Sequence, residues 1–580
     1  MILVEQEEAE RHRAAGHWGN MALDELLARN ARESGEKVAL IDHGERIGWR
    51  RPFSAELTWS SVDRMVSALA AVFLDCGIKQ NDVAVVQLGN STEALIAHLA
   101  MLRAGAIPAA VPVAWRIRDL SAAFSRIDPV VLVTATRIGP TFHCEQMMQS
   151  AVETLSVRNV LAFGDPVPDG VQPLNPALAP DAPAEGGKGA PRAGNAADHV
   201  AMVTFSSWEG RLEPVARSHN QWIASAMEIA LAAEIEPDSS LVTTLLPSSL
   251  AGFAAGMVVW LLTGCRLTLV MPMTTSAFQR EVTRTTPSHL VVPGSLGSLV
   301  NLDEGAENPC CIRYWPAPEV FAQSRDANPT DDEAEATDDG RAIDVVSLDE
   351  MALKAIPART MPSGVMPSGD SDEAPVVLPV AAVAGPGDDP VPEAETPLVS
   401  ARMPGALFRP GGATVPGALM SGALLVGGPQ VPTQPFAPGD GEISFRFKPH
   451  PDGFRESGLR CRLTNDAEPM LAVQGHRRDT IITGGLAICA ETLDAIYGGY
   501  DGFLDAAATS VADDLFGARI VAAVVPRPGG DYSLSAFRAY LRDIGTATHM
   551  MPDRIITVPE IPRAPDGTVQ RSMISVEPAD

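Results

Sequence analysis

Phe205-Ser206-Ser207-Trp208-Glu209-Gly210-Arg211-Leu212-Glu213-Pro214-Val215-Ala216-Arg217-Ser218-His219 has the frame of a phosphate-wrapping loop and unsuitable side chains for that task. Glycines and small hydroxyl residues serve such a loop because bare backbone N–H groups and hydroxyls can close around phosphate oxygens, with a nearby cation adding charge. Ser206 and Gly210 keep that character. Trp208 is bulky, and Glu209 and Glu213 bring two carboxylates within a phosphate's reach. A like charge at a few ångströms costs about 1–4 kcal/mol at effective dielectrics between water and a protein surface. The stretch therefore predicts poor binding of an ordinary nucleoside triphosphate.

Outward from this loop the chain alternates strands and helices. The apolar runs Lys37–Ile41, Val83–Leu88, His199–Thr204 and Leu241–Pro247 read as strands, and so do Arg266–Val270 and His289–Pro293. Between them lie helical patterns. One starts near a hydroxyl cap at Ser60 and stops at Gly77, one runs Glu93–Arg103 before Gly105, and one runs Asn220–Ala233. Such alternation predicts an α/β layered domain. Pro166–Ala197, rich in Pro, Gly, Ala and Asp, reads as a mobile surface linker. From Ala317 to Pro404 the chain turns acidic and Pro/Gly-rich, with near copies at Met361–Gly364 and Met366–Gly369, a composition poor in the apolar surface a fold needs.

Aligned without a gap, the opening stretch resembles the T-S-G-T-T-G-x-P-K-G-V-x-x-S-H loop of the adenylate-forming superfamily, the AMP-dependent synthetases and ligases. Ser206, Gly210, Val215, Ser218 and His219 match it, whereas Ser207 stands at a glycine and Glu213 at the lysine. The resemblance extends to Leu57–Asp63, Gly77–Val85, Met101–Pro108, Gly422–Val431 and Gly475–Gly485. It implies a large N-terminal domain of layered β-sheets flanked by helices, plus a small C-terminal α+β domain. The expected organisation is a tail at 1–20, the large domain at 21–316 and 405–474, the insert at 317–404, and the small domain at 475–580.

The resemblance also assigns roles. Ser206, Ser207, Gly210, Glu213, Ser218, His219 and Gly458 fall on a degenerate nucleotide site, Gly458 standing where relatives carry a ribose-binding aspartate. Thr568 stands at the position of the catalytic lysine and cannot carry its charge; loss of a poised transition-state charge typically costs several kcal/mol. Arg478 falls at the hinge and Gly484 and Gly485 on the CoA-side loop, in a motif of acyl-CoA synthetase type that equally reads as a tight hairpin. The family's aromatic-Gly-x-Thr-Glu motif is not recognisable in the sequence. Two functions follow as expectations: a pseudoenzyme retaining a binding or assembly role toward an acyl group, an acyl-CoA or a carrier or partner protein, or an active acid–CoA ligase. ATP, Mg and CoA are cofactors only on the second, which must recruit other cations such as Arg211, Arg217 or Arg571.

Composition narrows the rest. A formal charge of −28 on 580 residues disfavours nucleic acid as a partner. The 7 cysteines have no paired spacing and the 11 histidines no metal-ligating pattern, so no metal site is expected. An acidic start at Met1–Glu10 argues against a secretory signal, and the Leu250–Leu262 apolar run is short for a membrane span. A cytoplasmic protein with a buried helix there is the expectation.

Overall fold

The computed structural model describes residues 1–42, 55–185, 187–208, 211–271, 275–297, 309–316, 342–357, 376–378, 407–411, 421–436, 447, 454–463, 471–476, 479–483, 486–513, 516–564 and 567–575. Strands Val83–Gln87, Ile107–Ala110 and Val131–Ala135 are largely apolar and buried at every position, as strands covered on both faces must be. They belong to a seven-stranded sheet in the order Gln172–Pro173, Asn159–Phe163, Val131–Ala135, Val83–Gln87, Ile107–Ala110, Val200–Trp208 and Arg211–Ser218. Its strands run parallel except for the final pair, which is antiparallel.

A second sheet has eight strands in the order Ala352–Pro357, Ile343–Leu348, Cys310–Trp315, His289–Pro293, Ser240–Thr243, Arg266–Leu269, Val38–Ile41 and Glu56–Thr58. Only its two edge pairings are antiparallel. One core draws Ala84, Val86 and Leu161 from the first sheet and Leu241, Leu267 and Val291 from the second. Helices Trp59–Asp75, Thr92–Ala104 and His219–Ala232 contribute to the same core. The 250–263 run completes it as a buried helix whose middle, Phe253–Val258, winds as a π-helix. Trp59 stacks on Trp260 with centroids 4.4 Å apart, and Trp260 Nε1 donates to the Ala39 carbonyl at 2.9 Å, locking helix to strand. The helix expected to be capped near Ser60 is capped by Thr58, whose Oγ1 accepts from Ser61 N at 3.2 Å.

A five-stranded antiparallel sheet follows in the order Val376–Leu378, Leu471–His476, Arg455–Leu463, Ser421–Gly427 and Leu407–Gly411. The C-terminal part comprises the hairpin Thr480–Thr483 with Leu486–Cys489, helices Ala490–Tyr497 and Leu534–Asp543, and a sheet of Phe503–Asp513, Gly517–Pro526 and Arg554–Thr557. Its own core gathers Leu493, Tyr497, Phe503, Ala522 and Phe537.

Three segments differ from the sequence-based expectation. The 1–20 tail contains the helix Gln6–Ala14 and is tied in, with Trp18 Nε1 donating to Pro429 O at 2.9 Å and Thr433 Oγ1 to Glu8 at 2.9 Å. The 317–404 interval is not uniformly low in structure: within it Ile343–Leu348 and Ala352–Pro357 extend the eight-stranded sheet, and Val376–Leu378 pairs with Leu471–His476. A buried β-branched run carries this pairing despite its acidic flanks. The Pro166–Ala197 segment runs over the surface as expected, but it is tied in at several points, with Val171, Leu174, Leu178 and Gly187 buried.

In that segment Gly189 N donates to Arg103 O at 3.0 Å, and Arg192 pairs with Asp24 at 3.0 Å. Two of its glycines are required by closeness, because a β-carbon on Gly187 would lie 1.8 Å from the Ser67 carbonyl oxygen and one on Gly189 2.3 Å from the Ala104 carbonyl oxygen. Gly187→Ala is therefore expected to lower stability by about 1–3 kcal/mol through overpacking against backbone. A urea unfolding curve with the wild-type midpoint would refute this.

Candidate functional site

Val200–Trp208 and Arg211–Ser218 form an antiparallel hairpin whose pairing continues to Trp208 opposite Arg211, leaving only residues 209–210 between the strands. A cross-strand ladder engages backbone N–H and C=O groups that a phosphate loop would turn toward its ligand. Strand alternation then sorts the side chains. Phe205 faces Trp115, with ring centroids 5.4 Å apart. The opposite face carries Thr204 and Ser206 on one strand and Glu213, Val215 and Arg217 on the other, with Ser206 directly across from Glu213.

That second face meets the turn after Ile343–Leu348. Ser206 Oγ donates to Asp349 Oδ2 at 2.6 Å. Asp349 holds a left-handed backbone, φ 54°, and its carbonyl accepts from Ser347 Oγ. Next to it, both Glu350 carboxylate oxygens accept from Leu250 N, at 3.2 and 3.0 Å, at the start of the 250–263 helical run. An anion is favoured at that end of a helix. Burial nevertheless pushes the Glu350 carboxyl up to about 7 from the ordinary 4.5, outweighing the opposing pull of the Arg217 guanidinium. The same surroundings, burial first and then the Glu350 charge, raise the Tyr314 phenol.

Arg217 is fully buried. Its Nε donates to Gln430 O at 3.3 Å, its Nη2 donates to Glu350 O, and its guanidinium lies 5.4 Å from the Trp222 ring centroid. It is a structural tie between hairpin, turn and 428–431 loop, not the spare phosphate-binding cation that the sequence suggested. Arg571 is committed in the same way, to Asp479 at 2.8 Å, to Asp494, and through Nε to Ala508 O at 2.9 Å. Arg211 is exposed near the hairpin's end.

A strand ending in a glutamate, which the sequence reading passed over, lies against this face. Val346-Ser347-Leu348-Asp349-Glu350 closes a parallel strand and packs on the hairpin. The only sequence signal was a β-branched run ending in Asp-Glu, hidden beside an acidic stretch.

Ser218 and His219 build the fold. Ser218 Oγ caps helix His219–Ala232 by accepting from Gln221 N at 3.2 Å, and His219 Nδ1 accepts from Leu23 N at 3.1 Å. Burial lowers the His219 imidazole well below the usual range. Gly458 sits with φ 91° in a bulge, where the pairing with Ser421–Gly427 shifts register and Ser457 Oγ donates to Leu424 O at 2.8 Å. The glycine thus serves a left-handed backbone as well as lacking an acceptor. Thr568 is exposed, in a turn whose Ala564 N donates to Thr568 O at 2.8 Å. Ser207 is described by its backbone alone, and Gly210, Arg478, Gly484 and Gly485 lie outside the described residues.

The Mg–ATP that the resemblance implies does not fit these residues. The Ser206 hydroxyl points into a carboxylate, the Glu350 oxygens face an amide, and Glu213 stands across the hairpin. Among the described residues no group of three or more His, Cys, Asp or Glu side chains is arranged to hold a metal ion. No described helix is long and apolar enough to cross a membrane.

Layered sheets around shared helices, followed by a small α+β part whose Leu486–Cys489 strand contacts Val200–Trp208, define the two-part architecture of an adenylate-forming protein. Residues 27–318 match the AMP-binding enzyme family, and the chain belongs to that family. It is similar to a 2-hydroxy-7-methoxy-5-methyl-1-naphthoate–CoA ligase of Streptomyces carzinostaticus, 27% identical over 98% of this chain and 95% of the relative. A salicyl-AMP ligase/salicyl-S-ArCP synthetase of Mycobacterium tuberculosis is 25% identical over 98% of this chain and 92% of its own length. Among solved structures, Mycobacterium smegmatis MbtA in its apo form superimposes with a TM-score of 0.62 at 22% identity, covering 98% of this chain and 97% of that one. The amide bond synthetase McbA of Marinactinospora thermotolerans gives 0.67 at 18% identity, covering 95% and 98%.

Proposed function

We propose that this chain is a cytoplasmic member of the AMP-binding family in which ATP-dependent adenylation is lost or weakened, and which retains a binding or assembly role toward an acyl group, an acyl thioester or a carrier or partner protein. The observation that supports this reading is the Ser206–Asp349 hydrogen bond at 2.6 Å, in which a carboxylate takes the hydroxyl of the stretch that resembles the family's phosphate loop. Thr568 in place of a lysine and Gly458 in place of an aspartate act in the same direction.

An active AMP-forming ligase is the second reading. The quoted relatives of near full length are named as ligases or synthetases, and they speak for this reading more strongly than for the first. On this reading a carboxylic acid would be activated as an acyl-adenylate and passed to a thiol, with ATP, Mg and CoA or a carrier thiol as co-reactants.

Isothermal titration with ATP–Mg, followed by a carboxylate panel assayed for adenylate, separates the two. No heat up to millimolar ATP, with binding of an acyl-CoA or a carrier protein, is the result expected for the first reading. Micromolar binding with adenylate formation would refute it in favour of the ligase.

A further inference from the structure

Asp349 carries a consequence beyond the closed hairpin. We infer that Asp349 is the specificity-determining residue that shuts this face of the hairpin to phosphate, by taking the Ser206 hydroxyl and holding a carboxylate beside the Ser206–Glu213 pair. The inference rests on the first reading above, that adenylation is lost or weakened.

Three features lead to it. First, a 2.6 Å contact from hydroxyl to carboxylate is a charge-assisted hydrogen bond, so the Ser206 proton is directed to Asp349 and away from any incoming anion. Second, Asp349 is pinned: its backbone is left-handed at φ 54°, Ser347 Oγ donates to its carbonyl, and the next residue is anchored by Leu250 N and by Arg217. A phosphate would have to meet this carboxylate or displace a turn tied to two other elements. Third, Glu213, directly across the ladder from Ser206, presents a second acid on the same face; of the two arginines that strand alternation puts there, Arg217 is turned inward to Gln430 and Arg211 is exposed at the hairpin's end. The exclusion is therefore aimed at the phosphate chain of a nucleotide and leaves its nucleoside part unaffected.

The test compares ATP with adenosine on the full chain. Asn tolerates the left-handed backbone nearly as well as Asp, so Asp349→Asn removes the charge and little else. The expected result is a gain in ATP affinity of about tenfold or more with adenosine binding unchanged, since one like charge removed at close range acts on phosphate alone. Ser206→Ala serves as the control: it breaks the same hydrogen bond but keeps the carboxylate, and ATP should stay excluded. Should Asp349→Asn melt below the assay temperature, Asp349→Gly, for which the backbone angle is unstrained, takes its place. Unchanged ATP affinity in the folded variant overturns the inference, as does an equal rise for adenosine or an equal gain in Ser206→Ala. Micromolar ATP binding by the unaltered chain overturns instead the reading on which it rests.

Discussion

Replacing Arg217 with methionine is expected to lower the free energy of unfolding by about 3–5 kcal/mol, the range for breaking a buried charge network from one side. Methionine fills much of the same volume, so the loss arises from polarity. The Gln430 and Glu350 carbonyls each lose a donor, and the Glu350 carboxyl loses the cation that opposes its protonation. The deficit should depend on pH. Without the guanidinium, an ionised Glu350 is harder to hold, so the variant should be penalised more at pH 8 than at pH 5. Urea unfolding at these two values checks both points. A loss below about 1 kcal/mol would show that the tie contributes little, against the buried-network range.

The second large effect belongs to Glu350 itself. Its carboxyl titrates at about 7 in the fold against an ordinary 4.5. Between those values the folded protein keeps a proton that the unfolded chain has released, so stability falls as pH rises from about 4.5 to about 7. At about 1.4 kcal/mol per pH unit the total is about 3 kcal/mol. Glu350→Gln still offers an oxygen to Leu250 N but has nothing to ionise. Its stability relative to wild type should rise across that window and level off above it. The groups facing this carboxyl are Arg217, Asp349, Thr204, Tyr314 and the Leu250 amide, and the substitution leaves them in place.

The buried His98 imidazole, lowered by burial to about 4, acts in the opposite sense. It withdraws stability as pH falls from 6.5 toward 4, so wild-type stability alone mixes the two trends. The difference between wild type and Glu350→Gln isolates the carboxyl. A difference that does not change with pH would mean that Glu350 titrates near its ordinary value.

Much of the fold was legible because its signals are local. The Val83–Gln87 strand is a run of apolar residues, and the Thr92–Ala104 helix ends at Gly105, whose φ of 91° suits a left-handed cap. Both features act over a few residues, so both can be read without knowing neighbours. That Ser206 and Glu213 face each other across a ladder was not legible from side-chain chemistry alone. Nor was Ile343–Leu348, since its parallel partner Cys310–Trp315 is distant in sequence and its flanks are acidic. Parallel pairing leaves no turn signal between partners, and the turn to its antiparallel neighbour Ala352–Pro357 carries neither glycine nor proline.

The sequence by itself determined the family, the layered α/β class and the loss of the usual cation at position 213. Only the tertiary structure decided what the remaining charges do. Arg217, legible as a spare phosphate ligand, became a buried tie, and Asp349, unremarked in its acidic surroundings, became the partner of Ser206. The reason is physical: helix and strand preferences are set by neighbours along the chain, whereas the role of a charged side chain is set by burial and by partners that may lie more than a hundred residues away, as Asp349 does from Ser206.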